Sequence, residues 1–179
     1  MNIDWLGRIW PLMEEAFPSV ERRTLQGEAD ILRRDDVCMR VITEGGQVTA
    51  FMIWWELPTC IFGEHLAVLK GLRGNARGTT LLTLLKEISE REKKPFVLEV
   101  EPPQQSEQAL RRLRFYRRNG FVFNDFPYKQ QPLKTGDEPA DLCIMSYRKG
   151  FTAQQFLPLK QDIYRTVYNL SGEALKSAL

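Results

Sequence analysis

The stretch IFGEHLAVLKGLRGNARGTTLLTLL, residues 61–85, decides how the rest of the chain is read. Its apolar run Leu66, Ala67, Val68 and Leu69 reads as the end of a strand. A turn follows, built on Gly71, Arg73, Gly74, Arg77 and Gly78, and a leucine-striped helix opens directly after it. Strand, glycine-rich turn and helix start, in this order, gather backbone N–H groups at the positive end of a helix, where phosphate oxygens bind. No Gly-Lys-Ser/Thr follows, so the turn is not a Walker A loop, and the dinucleotide G-x-G-x-x-G spacing is missing. What remains is R-x-x-A-x-G, formed by Arg73, Ala76 and Gly78.

Downstream, Thr79 to Lys93 reads as a helix, with Leu81, Leu84, Leu85 and Ile88 on the buried stripe and Lys86, Glu87, Glu90 and Arg91 on the wet side. A strand from Pro95 to Glu101 follows, closed by Pro102 and Pro103. Strand, helix, strand is a crossover, which implies a parallel pair. Ser106 caps a further helix that turns Leu110, Leu113 and Tyr116 inward, and Asn119 with Gly120 stops it. Phe121 to Phe123 begins a strand, which a polar loop over about residues 129–139 separates from another at Leu142 to Arg148.

Upstream, Cys38 to Thr43 and Val48 to Leu57 form a hairpin across Glu44, Gly45, Gly46 and Gln47. The second strand is apolar on both faces, so it belongs inside a sheet. Trp5 to Phe17 has helical spacing, with Pro11 marking a break near Trp10. A polar helix is expected over about residues 21–34. Thr152 and Gln155 have capping-box spacing before a tail helix that Pro158 is placed to kink. The pattern is α+β: a mixed sheet with helices on both faces, with residues 1–150 as the domain and 151–179 as a helical extension packed on it or on a partner.

In a chain of 179 residues, a hydrophobic content of 43% and a charged content of 27% suit one domain with a full core. A net charge of +2 gives no overall field toward nucleic acid or an anionic membrane. Three scattered cysteines and a single histidine leave little for a disulfide framework or a metal site, and point to a reducing compartment, the cytoplasm. The first ten residues carry no basic, apolar leader, and no run reaches transmembrane length.

The R-x-x-A-x-G turn resembles the acetyl-CoA pyrophosphate loop of the GNAT (Gcn5-related) N-acetyltransferases, usually Q/R-x-x-G-x-G/A. Phe115, Tyr116, Gly120 and Phe121 look like the F-Y-x-x-x-G-F segment of the same family, with the strand Phe96 to Glu101 between the two. The resemblance covers roughly residues 37–148 and implies a GNAT-type, mostly antiparallel mixed sheet. It also implies acetyl-CoA as co-substrate, no metal, and a small-molecule or peptide amine as acceptor. The backbone of Leu66, Ala67 and Val68 would face the thioester and pantetheine, and the loop Arg73, Gly74, Asn75, Ala76, Arg77, Gly78 and Thr79 would hold the pyrophosphate. Ala76 stands where glycine is commoner, and its methyl is expected to require a negative φ. Ala109 replaces an asparagine frequent in the family.

The implied reaction is attack of an amine on a thioester. An alkyl amine with a pKa of about 10.4 is neutral in only about one molecule in a thousand at pH 7, so its proton needs a route out. The departing thiolate needs an acid. The resemblance makes Glu64 the first candidate for base, since in family members this strand lies beside the thioester and several carry a carboxylate on it. Strand alternation places Phe62, Glu64, Leu66 and Val68 on one face, where a raised pKa is expected for Glu64, and His65 on the other. Glu99 and Glu101 are in reserve, through a water. The family tyrosine makes Tyr116 the acid. Trp54, Trp55 and Phe17 form either an acceptor wall or core. The rival reading is a GNAT-shaped module that binds CoA or a partner without turnover. Either reading leaves room for a homodimer. A nucleic-acid stripe through Arg111, Arg112, Arg114, Arg117 and Arg118 is the weaker third, because helical spacing spreads these side chains around the helix.

Overall fold

The structure, a computed structural model, describes residues 2–179. The elements run α1 (Leu6–Ala16), α2 (Leu25–Ile31), β1 (Val37–Glu44), β2 (Gln47–Glu56), β3 (Ile61–Val68), α3 (Arg77–Glu92), β4 (Phe96–Val100), α4 (Glu107–Arg118), β5 (Phe121–Gln130), β6 (Ala140–Tyr147), α5 (Ala153–Thr166) and α6 (Gly172–Ala178). They build one six-stranded sheet in the order β1-β2-β3-β4-β6-β5. Every neighbouring pair is antiparallel except β3 with β4, which the α3 crossover makes parallel.

Two apolar layers cover the two faces. On one, Ile9 and Met13 of α1 and Phe156, Ile163 and Tyr164 of α5 pack on Phe51, Ile53, Trp55 and Phe62. On the other, Leu81, Leu82 and Leu85 of α3 and Leu113 and Tyr116 of α4 pack on Met52, Trp54 and Leu98. Strand β2 lies beneath both layers, which is why its sequence is apolar without alternation. Trp54 and Trp55 are buried in these layers, so they belong to the core and not to an acceptor wall. Helix α5 and Tyr168 beyond it are part of the first layer, so residues 151–179 supply core as well as a tail.

Several local expectations change. Helix α1 runs through Pro11 without a break there. Helix α5, expected to kink at Pro158, is likewise continuous in its span. Each proline lies on the exposed side, as does the residue four before it, Gly7 or Gln154, so water can take the carbonyl left without a donor. The second helix is shorter than expected: the Thr24 side chain accepts from the Gly27 N–H and starts α2 there, leaving Ser19–Glu21 as a separate 3-10 turn. Strand β5 continues to Gln130, with an irregularity between Asn124 and Tyr128 around Pro127.

The change with the largest consequence lies in β3. Trp54 pairs with Gly63 and Ile53 with His65, so Glu64 is an extra residue opposite nothing. A bulge of this kind resets alternation. Phe62 and Glu64 lie on the α1/α5 face, but Leu66 and Val68 join the α3/α4 face, against the single-face parity expected for all four. His65 turns to the same side as Glu64, where it packs edge-on against Phe17.

The turn after β3 corrects the expectation for Ala76. Its φ is +60°, the left-handed region, not negative. It is the residue that precedes α3, and a methyl group there costs about 1 kcal/mol relative to glycine. Glycine is favoured for another reason at Gly78, where an added Cβ would crowd the Phe115 ring at 3.1 Å from Cζ and lie 3.6 Å from Val68 Cγ2. The two motifs of the sequence therefore touch. Ala76→Gly is expected to raise stability by about 1 kcal/mol, read as a shifted urea midpoint at constant slope.

Candidate active site

β3 and β4 pair only at Ile61 with Phe96, Phe62 with Val97 and Gly63 with Leu98. Beyond the bulge they part. The split opens a narrow cleft with a cavity of 40 Å³, room for a few waters. Because it passes between strands, side chains reach it from both faces of the sheet. Glu64, His65, Glu99 and Tyr168 come from one, and Tyr116 from the other.

Along β3, the Leu69 N–H donates to Thr49 and Ala67 stands directly opposite Phe51. Alternation then engages the Ala67 N–H in the sheet and turns those of Leu66 and Val68 toward the split. Of the three backbone positions expected to meet a thioester, two have free amides. Past the strand, Ala76 supplies no side-chain cap to α3, and among the described residues no acceptor meets the Gly78 and Thr79 amides. These donors, at the start of a 16-residue helix, suit a diphosphate. Arg77, expected at the phosphates, is otherwise occupied: it pairs with Glu44 through Nε at 2.8 Å and Nη2 at 2.7 Å, and its Nη1 reaches the Leu72 carbonyl. Arg73 donates to the Val68 carbonyl at 3.2 Å. Both arginines fasten the loop, Arg77 to the hairpin and Arg73 to the strand end.

The carboxyl of Glu64 does not stand free in the cleft. Arg23 Nη1 lies 2.6 Å from Oε1, Trp55 Nε1 donates to Oε2 at 2.7 Å, and the two charged side chains are 5% and 7% exposed. Burial pushes this carboxyl up, but Arg23, His65 and the Trp55 hydrogen bond together outweigh it and hold it below the usual range. The raised pKa expected for Glu64 is therefore not found. Arg23 also approaches Glu28 at 3.8 Å and donates to the Val167 carbonyl. The His65 Nε2 meets the Glu21 carbonyl at 2.9 Å, while its Nδ1 is buried without a partner.

On β4, Glu99 is a strongly raised carboxyl in the cleft. Tyr128 donates to its Oε1 at 2.5 Å, and Tyr168 lies 2.8 Å from both oxygens. Burial pushes Glu99 up to about 7; the tyrosine hydrogen bonds oppose this, and the charges of Glu64 and Glu21 add to it. Glu101 is paired to Arg112 at 2.6 Å. Tyr116 is 7% exposed, and its ring packs against Phe115 and Phe121. Among the described residues its hydroxyl has no hydrogen-bond partner, and burial pushes its pKa up. A core tyrosine normally ties its hydroxyl down. This one faces a cleft.

Sequence reading missed Arg23, Tyr128 and Tyr168. Tyr168 carries no local signal, since its role depends on how α5 lies across the sheet. Tyr128 lies between the expected strand start at Phe121–Phe123 and the expected loop from about residue 129, in a stretch given no role. In the arginine cluster, Arg111 and Arg112 pair with Glu107 and Glu101. No group of three or more His, Cys, Asp or Glu among the described residues is placed to hold a metal.

An acid raised in the folded state costs nothing below its unfolded pKa, where both states are protonated, and costs most above its folded pKa. Glu99 thus removes stability as pH rises from 4.5 to about 7. Relative to the parent, Glu99→Gln is expected to gain about 1–3 kcal/mol at pH 8 that is absent near pH 4, measured by urea unfolding at both pH values.

Residues 3–121 match the model of the acetyltransferase (GNAT) family. A comparison with curated proteins gave no match. Among solved structures, the chain is similar to a protein from Bacteroides thetaiotaomicron described as a GNAT-family acetyltransferase, with a TM-score of 0.78, 27% identity and 95% of each chain covered. It shares its fold with the Escherichia coli ribosomal-protein-S18-alanine N-acetyltransferase, at a TM-score of 0.63 and 18% identity over 86% of this chain and 94% of that one. It also shares it with Arabidopsis thaliana Naa50 in complex with a CoA-Ac-MVNAL bisubstrate analogue, at a TM-score of 0.60 and 21% identity over 83% and 93%. With the family model spanning well over half of the chain and the split sheet in place, this protein belongs to the GNAT acetyltransferases.

Proposed function

We propose that this protein is an N-acetyltransferase that moves the acetyl group of acetyl-CoA to a primary amine by direct attack in a ternary complex. One observation carries the reading: Glu99, with a pKa of about 7, and the unbonded Tyr116 hydroxyl line the same split from opposite faces of the sheet. The CoA-containing analogue bound to Naa50 supports the choice of donor. The amides of Gly78 and Thr79 would take the diphosphate, and those of Leu66 and Val68 the pantetheine and the thioester carbonyl.

The acceptor amine reaches the cleft protonated. Glu99, half ionised near neutrality, accepts that proton directly or through a water, and burial prevents it from being a permanent anion. The free amine attacks the carbonyl, oxygen charge develops beside a β3 amide, and the C–S bond breaks. Tyr116 stays protonated until the C–S bond breaks and gives its proton to the departing sulfur, whose thiol pKa is about 8.5. The second proton, lost by the attacking nitrogen as the amide forms, returns through water to the tyrosine oxygen. Glu64 does different work in this scheme: its charge holds Arg23, and so holds the segment before α2 against β3. With three free cysteines and no helix among the described residues long and apolar enough to cross a membrane, the cytoplasm suits the protein.

Thiol-release assays with acetyl-CoA and a mixture of amines test the scheme. Glu99→Gln is expected to lower kcat/KM about 100-fold and to abolish a rising limb near pH 7. Tyr116→Phe is expected to lower kcat about 10- to 100-fold with acetyl-CoA binding retained. Glu64→Gln is expected to act on stability, by about 3 kcal/mol, because it leaves a buried guanidinium short of its partner; a shifted pH limb without lost stability would move the base back to Glu64.

A further inference from the structure

The acceptor end of the cleft has a chemistry of its own. Glu21, in the turn before α2, lines the cleft together with Glu99 and Glu101. Its neighbours are accounted for: Glu101 is paired with Arg112, and Glu99 holds two tyrosine hydroxyls. The Glu21 carboxylate has no ion-pair or hydrogen-bond partner among the described residues, and burial, then the charge of Glu101, pushes its pKa up while Arg112 and His65 oppose the rise. The backbone beneath it is fixed, since its carbonyl meets His65 Nε2 at 2.9 Å. On the same His65, 2% exposed and also lining the cleft, Nδ1 lacks a partner. An isolated, partly desolvated carboxylate on a rigid turn attracts a cation and repels an anion.

The same end is stitched shut on one side. Lys134, in the β5–β6 connection, donates to the Ser19 carbonyl at 2.6 Å and to its hydroxyl at 2.7 Å. Gln130 donates to the Val20 carbonyl at 3.2 Å. Leu133 and Phe17 line the cleft beneath this strap. A chain leaving the cleft between residues 19–21 and 130–134 would have to break all three hydrogen bonds.

We propose that the acceptor is a compact alkylammonium without a carboxylate, and that Glu21 is the side chain that selects it. The proposal rests on the transferase reading and narrows it: a zwitterionic amino acid brings a carboxylate toward Glu21, Glu99 and Glu101, and a peptide N-terminus brings a chain that meets the strap.

Propylamine, β-alanine and an alanine-initiated pentapeptide amide, each with acetyl-CoA, form the test. Propylamine is expected to exceed both others in kcat/KM by about tenfold or more. Glu21→Gln is expected to bring propylamine and β-alanine within about threefold of each other through KM, with kcat little changed. Lys134→Ala is expected to raise the pentapeptide's kcat/KM and to leave propylamine unchanged. Calorimetric titration of propylamine into the CoA-loaded parent and into Glu21→Gln gives a reading independent of turnover, with weaker binding expected in the variant. A parent enzyme that prefers the pentapeptide, treats β-alanine as well as propylamine, or keeps its selectivity in a folded Glu21→Gln overturns the proposal. Heat with CoA but neither turnover nor binding of propylamine overturns it while the cofactor site stands. No heat with CoA removes the transferase itself.

Discussion

Strand β3 carries one residue more than its partner β2 can match, and the sheet is arranged around that mismatch. Opposite Trp54 and Ile53, the segment Gly63, Glu64, His65 must bow outward. The bow ends the parallel ladder with β4 after Gly63 and Leu98. From that point two neighbouring strands have no ladder between them, so amides and side chains that would pair across a continuous sheet line a cleft. The alternation reset by the bulge sends Glu64 and His65 toward α2 and Leu66 toward α3. The proposed base on one face, Glu99, and the proposed acid on the other, Tyr116, can meet only where the sheet is open.

Burying charges beside such an opening is costly, and the structure answers the cost locally. Arg23 offsets Glu64, and Arg112 offsets Glu101. Glu99 receives hydroxyls but no cation, so its charge is left expensive and its pKa high. Glu64 has the Arg23 guanidinium, with His65 and the Trp55 indole beside it, where Glu99 has only hydroxyls. Two glutamates on adjacent strands, both buried at the same split, take opposite directions because one of them meets Arg23 first of all, and also His65 and Trp55. That contrast separates a structural carboxylate from one suited to move protons.

The end of the cleft proposed for the cofactor is held by packing and turn conformation more than by charge. Phe115, beside the tyrosine of the second motif, lies against Gly78 of the first, and Val68 touches the same spot. The loop at residues 73–79, the end of β3 and the start of α4's last turn are therefore one contact cluster, which sets the distance between the loop amides and the Tyr116 hydroxyl. Arg77 contributes by holding Glu44 of the hairpin. Left-handed Ala76 is the strained member of this set, retained where glycine would be easier.

The sequence alone determined the sheet's composition, the crossover after β3, the capped starts of α4 and α5, and the loop at residues 73–79, because each depends on periodicity or turn chemistry within a few residues. The two motifs identified the family by their order and spacing. Tertiary structure decided which glutamate is suited to act as base. Alternation counted along Ile61 to Val68 cannot detect a bulge, since the extra residue exists only relative to β2. Nor can it bring Arg23 onto Glu64, or Tyr168 from beyond α5 onto Glu99, pairs separated by 41 and 69 positions. A pKa belongs to the surroundings of a group, and those surroundings are assembled only when the distant segments pack.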